Sequence, residues 1–158
     1  MDKEIKFEFV KRITESENFK KEDYYYLPIR ATRAAAGYDF ICPEMVTIAP
    51  GEIKIVKTGV KAKFPEDLQL KLYNRSSNAK KKGLILANGV GIVDADYYNN
   101  PDNEGEIGFM FWNITDKYVS IDAGDKLGQG IFEKYYTVTD ESIEGLATRM
   151  GGWGSTGK

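Results

Sequence analysis

The sequence predicts an all-β domain made of many short strands. Three observations carry that prediction. Apolar residues alternate with polar ones at a period of two, Gly, Pro, Asn and Asp punctuate the chain at short intervals, and helical periodicity is weak. Ile5, Phe7 and Phe9 alternate with charges and read as a first strand. Val46 and Ile48 lead into the turn signal Pro50-Gly51, and Ile53 and Ile55 continue beyond it. Val60, Ala62 and Phe64 form the next alternating run, followed by Leu68, Leu70 and Leu72. Ile107, Phe109 and Phe111 alternate with Met110 and Trp112, which predicts burial on both faces, in a core or a subunit interface. Residues 131–138 read as a further strand. Residues 11–22 suit a loop or short helix, and 140–147 suit about two helical turns with Ile143 and Leu146 inward. Together these segments predict a sandwich or barrel.

A chain of 158 residues suits one domain with its own core. The formal net charge of −2 gives no general field for nucleic acid or an anionic membrane, so any phosphate site must be local. No apolar run approaches the ~18 residues of a membrane span. The first residues, Met1-Asp2-Lys3-Glu4, are too charged for a secretory signal. Cys42 is the only cysteine, which excludes an intrachain disulfide and points to a reducing, cytoplasmic setting. The absence of histidine removes Ser-His and Cys-His nucleophile pairs and imidazole metal sites. Acid–base work falls to carboxylates, Tyr or Lys, and any metal should be a hard, oxygen-liganded ion.

Five segments stand out against this background. They are Ala35-Ala36-Gly37-Tyr38-Asp39-Phe40, Asn74-Arg75-Ser76-Ser77, residues 88–97 (NGVGIVDADY), residues 124–129 (GDKLGQ) and residues 151–157 (GGWGSTG). Asp94 and Asp96, two apart on an expected strand, should face the same way and can share a cation or shift each other's pKa; a D-x-D alone also suits a solvated turn. One guanidinium and two hydroxyls in Arg75-Ser76-Ser77 can hold two phosphates without a wide basic patch; a polar loop is the plainer reading. Residues 152–158 have the spacing G-x-x-x-x-G-K but offer no following Ser/Thr or helix, so they are no P-loop.

In their order and spacing the five segments resemble the motifs of the trimeric dUTPases, of the phage and bacterial kind, from about Leu27 to Lys158. The resemblance implies a distorted jelly-roll β-barrel that assembles as a C₃ homotrimer with shared active sites. The second and fourth segments would come from one subunit, the third from its neighbour and the fifth from the remaining one. It implies Mg²⁺-dependent hydrolysis of dUTP to dUMP and pyrophosphate, which limits uracil in DNA and supplies dUMP. Asp94 would activate the water that attacks the α-phosphorus. Tyr97 would lie beneath the deoxyribose and exclude a 2′-hydroxyl. Gly91 and Gly108 would present hairpin backbone to uracil, with Asn88 assisting. Arg75, Ser76 and Ser77 would hold phosphates, Ser76 near the α–β bridging oxygen, and Gln129 would contact phosphate or water. Trp153 would stack on uracil, while Gly154, Ser155, Thr156 and Arg149 would engage the γ-phosphate in a flexible lid over 148–158. Asp39 would hold water on Mg²⁺.

Three features depart from the common pattern. Arg149 lies four residues before the aromatic rather than five, Trp153 stands where phenylalanine is usual, and residues 98–104 lengthen the hairpin. The insertion is turn-rich, reads as exposed and offers a surface to a protein partner. Residues 1–26 lie outside the resemblance. Two other functions fit the scaffold: a dCTP deaminase-like enzyme, which Asp94, Asp96, Tyr97 and the glycine-rich tail disfavour, and a regulatory binding protein.

Overall fold

The computed structural model describes residues 3–17 and 27–154. Among the described residues there are twelve strands: β1 Lys6–Phe9, β2 Ile29–Arg30, β3 Tyr38–Ile41, β4 Val46–Ile48, β5 Ile53–Lys57, β6 Val60–Lys63, β7 Leu68–Asn74, β8 Leu84–Leu86, β9 Gly91–Val93, β10 Gly108–Asn113, β11 Val119–Ile121 and β12 Lys126–Lys134. A five-stranded sheet has the order β2-β3-β12-β7-β9, and a three-stranded sheet has the order β5-β10-β8. The pairs β1-β6 and β11-β4 complete the structure. The pairings are antiparallel. This is the jelly-roll type of β architecture expected from the sequence.

Alternation decides which side chains enter the core. Phe109 and Phe111 of β10 point inward and are almost fully buried, while Trp112 between solvent and sheet stays 41% exposed. Phe40 meets Phe109 edge to face with ring centroids 5.5 Å apart, and Phe7 packs against Tyr38, Phe40 and Phe132. Full burial of Phe40 and Phe109 stabilises the fold by about 1.5–3 kcal/mol each. Gly128 makes this packing possible: a Cβ there would fall 2.3 Å from Phe109 Cε1 and 2.6 Å from the Tyr73 carbonyl oxygen. The β12 register shifts between Lys126 and Gly128, next to that close approach.

The outer face of β10 is also apolar. Trp112 stands opposite Ile53 on one side and Ile85 on the other, with Ile53 56% exposed. A soluble surface rarely gathers such residues on one sheet face without a partner.

Four expectations are corrected. Residues 140–147 form no helix: Ile143 and Leu146 are exposed and find no core to face. The last strand is Lys126–Lys134, not 131–138; it starts earlier because its glycines pair with β3 and β7, and it stops before Tyr136, which is exposed. Asp94 and Asp96 do not lie on a strand, since β9 ends at Val93 and a 3₁₀ turn covers Ala95–Tyr97. The 98–104 insertion is not simply exposed, because Asn100 is 4% exposed and bonds the loop from inside. Within residues 11–22, a short helix spans Lys11–Thr14, and 18–22 lie outside the described residues.

The N-terminal arm belongs to the domain. Its strand β1 pairs with β6, and Arg12 donates two hydrogen bonds from Nε to the buried Glu106 carboxylate at 2.9 and 3.1 Å. Glu106 also accepts the Gly59 N–H at 2.9 Å. The carboxylate holds the Arg12 pKa above its ordinary value. Cys42 is buried, and that burial pushes its thiol pKa up to about 11, so it stays protonated and unreactive near neutrality.

Candidate active site

A cavity of about 310 Å³ opens between the residue 88–97 segment, the start of β10 and the C-terminal segment. Asn88, Gly91, Asp94, Tyr97, Gly108, Arg149, Trp153 and Gly154 all line it. Eight residues selected from sequence therefore share one cleft of a size that suits a small ligand.

The 3₁₀ turn sets the carboxylates. Asp94 is its N-cap in extended backbone, and Asp96 lies one residue inside it. The turn, rather than strand alternation, brings both to the same cation: Arg149 Nη2 lies 2.6 Å from Asp94 Oδ2, and its Nε 2.8 Å from Asp96 Oδ1. The Asp96 hydrogen bond is the largest influence raising the Arg149 pKa, followed among attractive effects by the charges of Asp96 and Asp94. The Asp94 and Asp96 side chains are 54% and 55% exposed, so these ion pairs are well solvated.

Tyr97 is buried and its hydroxyl is fully engaged. It donates to the Glu106 carbonyl oxygen at 2.8 Å and accepts from Asn103 Nδ2 at 2.8 Å. Burial is the main cause of its raised pKa. Trp153 stands edge-on to Tyr97, with centroids 6.3 Å apart. Its ring fills the space beside Gly108, where a Cβ would fall 2.9 Å from Trp153 Cζ2. Gly108 thus admits the ring by lacking a side chain, a role that sequence reading missed.

A second group lies elsewhere. Asp39, Arg75, Ser76, Ser77 and Gln129 do not line the cleft. Asp39 and Gln129 stand opposite each other on β3 and β12, and Tyr73 stands opposite Gln129 on β7. Gly37 gives the Gln129 amide its place, since a Cβ there would fall 2.3 Å from Oε1. Arg75-Ser76-Ser77 begins where β7 ends. Asn74 Oδ1 accepts the Arg75 N–H at 2.9 Å and an Asn78 amide N–H at 3.1 Å. Buried Asn78 also donates to the Leu127 carbonyl oxygen at 2.6 Å, which ties the segment to β12. Neither asparagine was singled out from sequence, though Asn74 opens the second segment.

In the single chain described, Arg149 and Trp153 of the fifth segment sit on the third segment. The Asp94–Asp96 pair attracts the guanidinium, and the glycine-lined cleft admits the ring. Ser155 and Thr156 lie outside the described residues.

Comparison with known proteins gives this arrangement its family. The dUTPase family model matches residues 23–157. The chain belongs to the dUTPase family. The dUTPase (deoxyuridine 5′-triphosphate nucleotidohydrolase) of Lactococcus lactis is 46% identical over 131 residues, covering 83% of this chain and 87% of that protein. The dUTPase of Rickettsia felis is 34% identical over 151 residues, covering 92% and 95%. The crystal structure of dUTPase from Streptococcus mutans superposes with a TM-score of 0.75 at 42% identity, covering 84% of this chain and 97% of that one. The Streptococcus mutans dUTPase shares the fold described above. No helix among the described residues is long and apolar enough to cross a membrane.

Proposed function

We propose that this chain hydrolyses dUTP to dUMP and pyrophosphate as a homotrimer whose active sites form between subunits. One observation supports the proposal: the expected site residues fall into two groups, those that line one cleft and those that lie outside it. Asn88, Gly91, Asp94, Tyr97 and Gly108 line the cleft, whereas Arg75, Ser76, Ser77, Gln129 and Asp39 do not. Pairing one chain's cleft with a neighbour's phosphate edge completes the set. The exposed apolar face around Trp112 and Ile53 supports such an assembly.

The roles follow from chemistry. Gly91 and Gly108 bring backbone donors and acceptors close to uracil's edge, and the Tyr97 ring closes the space below the sugar. Trp153 lifts from Gly108 to cover the base. Arg75 and the two serines neutralise and orient phosphates, with Ser76 donating where leaving-group charge develops. Asp94 takes a proton from the attacking water, oriented in line with the α-phosphorus. Arg149 leaves the carboxylates for the γ-phosphate, which frees Asp94 as a base.

The residues fit a magnesium ion that arrives with the nucleotide. Among the described residues no cluster of three or more carboxylate, His or Cys ligands could hold a metal, and the Asp39 carboxylate pairs with Lys126 at 2.7 Å. A single carboxylate suits an ion that keeps most of its waters. Asp39 would hold such a water, and the ion would offset triphosphate charge. The buried free thiol of Cys42 supports a reducing, cytoplasmic setting, in a bacterium or in the host of a phage.

The test is a panel of dUTP, UTP, dTTP and dCTP with Mg²⁺, read as pyrophosphate and ammonia release. Pyrophosphate from dUTP alone is expected. Equal turnover of UTP or dTTP, or ammonia from dCTP, overturns the proposal.

A further inference from the structure

We infer that Arg12 and Glu106 form a clamp that sets the shape of the cleft from behind, as positioning residues for the choice between deoxyribose and ribose. This rests on the cleft being the dUTP site proposed above.

Glu106 stands where two walls of the cleft meet. It follows the 98–104 loop and lies two residues before Gly108, the first residue of β10. Its carbonyl oxygen accepts the Tyr97 hydroxyl at 2.8 Å, so the position of the ring depends on the Glu106 backbone. Ile107 is pinned beside it. The Ile107 N–H donates to the Val60 carbonyl oxygen at 2.8 Å, and the Ile107 carbonyl oxygen accepts the Thr58 N–H at 3.0 Å and the Thr58 hydroxyl at 2.7 Å. A displacement of this stretch therefore moves the Tyr97 ring and the Gly108 backbone together.

The clamp holds that stretch through a carboxylate that does not line the cleft. Glu106 is 5% exposed, and a buried carboxylate keeps its place only while its oxygens are satisfied. Oε1 accepts the Gly59 N–H at 2.9 Å. Arg12 Nε donates to Oε1 and Oε2 at 2.9 and 3.1 Å, and Arg12 Nη2 donates to Oε1 as well. A planar guanidinium held in this way fixes direction as well as charge, which an ammonium does not.

Arg12 reaches this position from the N-terminal arm, 94 residues away in sequence and outside the residues 23–157 that the family model matches. The arm is seated on the same region. The Val10 N–H donates to the Gly59 carbonyl oxygen at 2.9 Å, the Lys11 N–H to Glu104 Oε2 at 3.0 Å, and the Tyr98 hydroxyl to Glu8. A Cβ on Gly59 would fall 2.6 Å from Ile13 Cγ1, so the turn before β6 fits the arm closely. Removing the guanidinium leaves a buried charge with the Gly59 N–H alone. Backbone or water must move to satisfy it, and the floor of the cleft moves too. Asp94 caps the opposite end of the 3₁₀ turn from Tyr97, so sugar selection should suffer more than proton transfer.

The test has two readouts. Without nucleotide, ¹H–¹⁵N spectra follow the Gly108 N–H and the Asn103 side-chain amide, which donates to the Tyr97 hydroxyl at 2.8 Å. With nucleotide, kcat/KM is measured for dUTP and UTP well below the thermal midpoint of each variant. Arg12→Ala is expected to move both resonances and to lower the preference for dUTP over UTP by about three- to tenfold. Adding Glu106→Gln to Arg12→Ala removes the stranded charge and should restore most of the preference, a coupling that two independent losses of stability would not give. Arg12→Lys keeps the charge without the fork and should fall between wild type and Arg12→Ala; it carries the test on the same readouts if Arg12→Ala does not fold. Unmoved resonances, or a lowered thermal midpoint with the preference intact, overturn the inference. A double variant no more selective than Arg12→Ala does so too. A wild-type protein that releases no pyrophosphate from dUTP defeats the proposed function instead, and the nucleotide-free resonances still read the clamp.

Discussion

Replacing Asp94 with asparagine is expected to lower kcat by about a hundred- to ten-thousand-fold, the usual contribution of a general base. The amide keeps the shape of the carboxylate and one acceptor oxygen, so it can still hold a water. It cannot accept the proton. Binding of dUTP should change little, because the uracil, sugar and phosphate contacts come from other residues. Stability should change by less than about 1 kcal/mol, since the Asp94–Arg149 pair is solvated, with the carboxylate 54% exposed. Single-turnover pyrophosphate release, set beside the affinity for a non-hydrolysable dUTP analogue, separates chemistry from binding. Rapid release by Asp94→Asn removes Asp94 as the base.

Replacing Tyr97 with alanine should have two effects from one cause. The ring is buried and packs in the core cluster. Its loss should cost about 3–5 kcal/mol, as large aromatic truncations do. The same cavity opens the floor beneath the sugar, so the preference for dUTP over UTP should fall by about tenfold or more. Tyr97→Phe separates the two. It keeps the ring and the discrimination but strands the Asn103 amide and the Glu106 carbonyl oxygen that the hydroxyl engages, at about 1–3 kcal/mol. Thermal unfolding and the ratio of kcat/KM for the two nucleotides measure both effects. A Tyr97→Ala protein that still rejects UTP as wild type does would leave the ring no part in sugar selection.

Strands bounded by turn residues were legible because alternation records which face is buried. β1, β4, β5, β6 and β7 fall where Phe7, Ile48, Ile55, Val60 and Leu70 predict them. β12 was misjudged because Gly128 and Gly130 carry no side chain to alternate, although they are the residues that let Phe109 and Phe40 pack. The 140–147 segment has an amphipathic look, but local pattern cannot show that no core lies within reach. The cleft residues were found through segment order and spacing, not through their individual chemistry. What sequence left out is the supporting shell: Asn78 under Arg75, Glu106 under Tyr97, and Asn103 between Tyr97 and Gly152. Such residues act through contacts distant in the chain, and an asparagine-rich loop looks the same whether it is solvated or braced.

The shared site can be tested by mixing two inactive proteins. Asp94→Asn spoils the cleft half and Arg75→Ala the phosphate half, so trimers of either alone should turn over little dUTP. Unfolding and refolding them together in equal amounts gives mixed trimers, each with one site that has both halves intact. About a quarter of wild-type activity should return, from symmetry and random assembly alone. A refolded mixture no more active than its two parents would contradict a site built between chains.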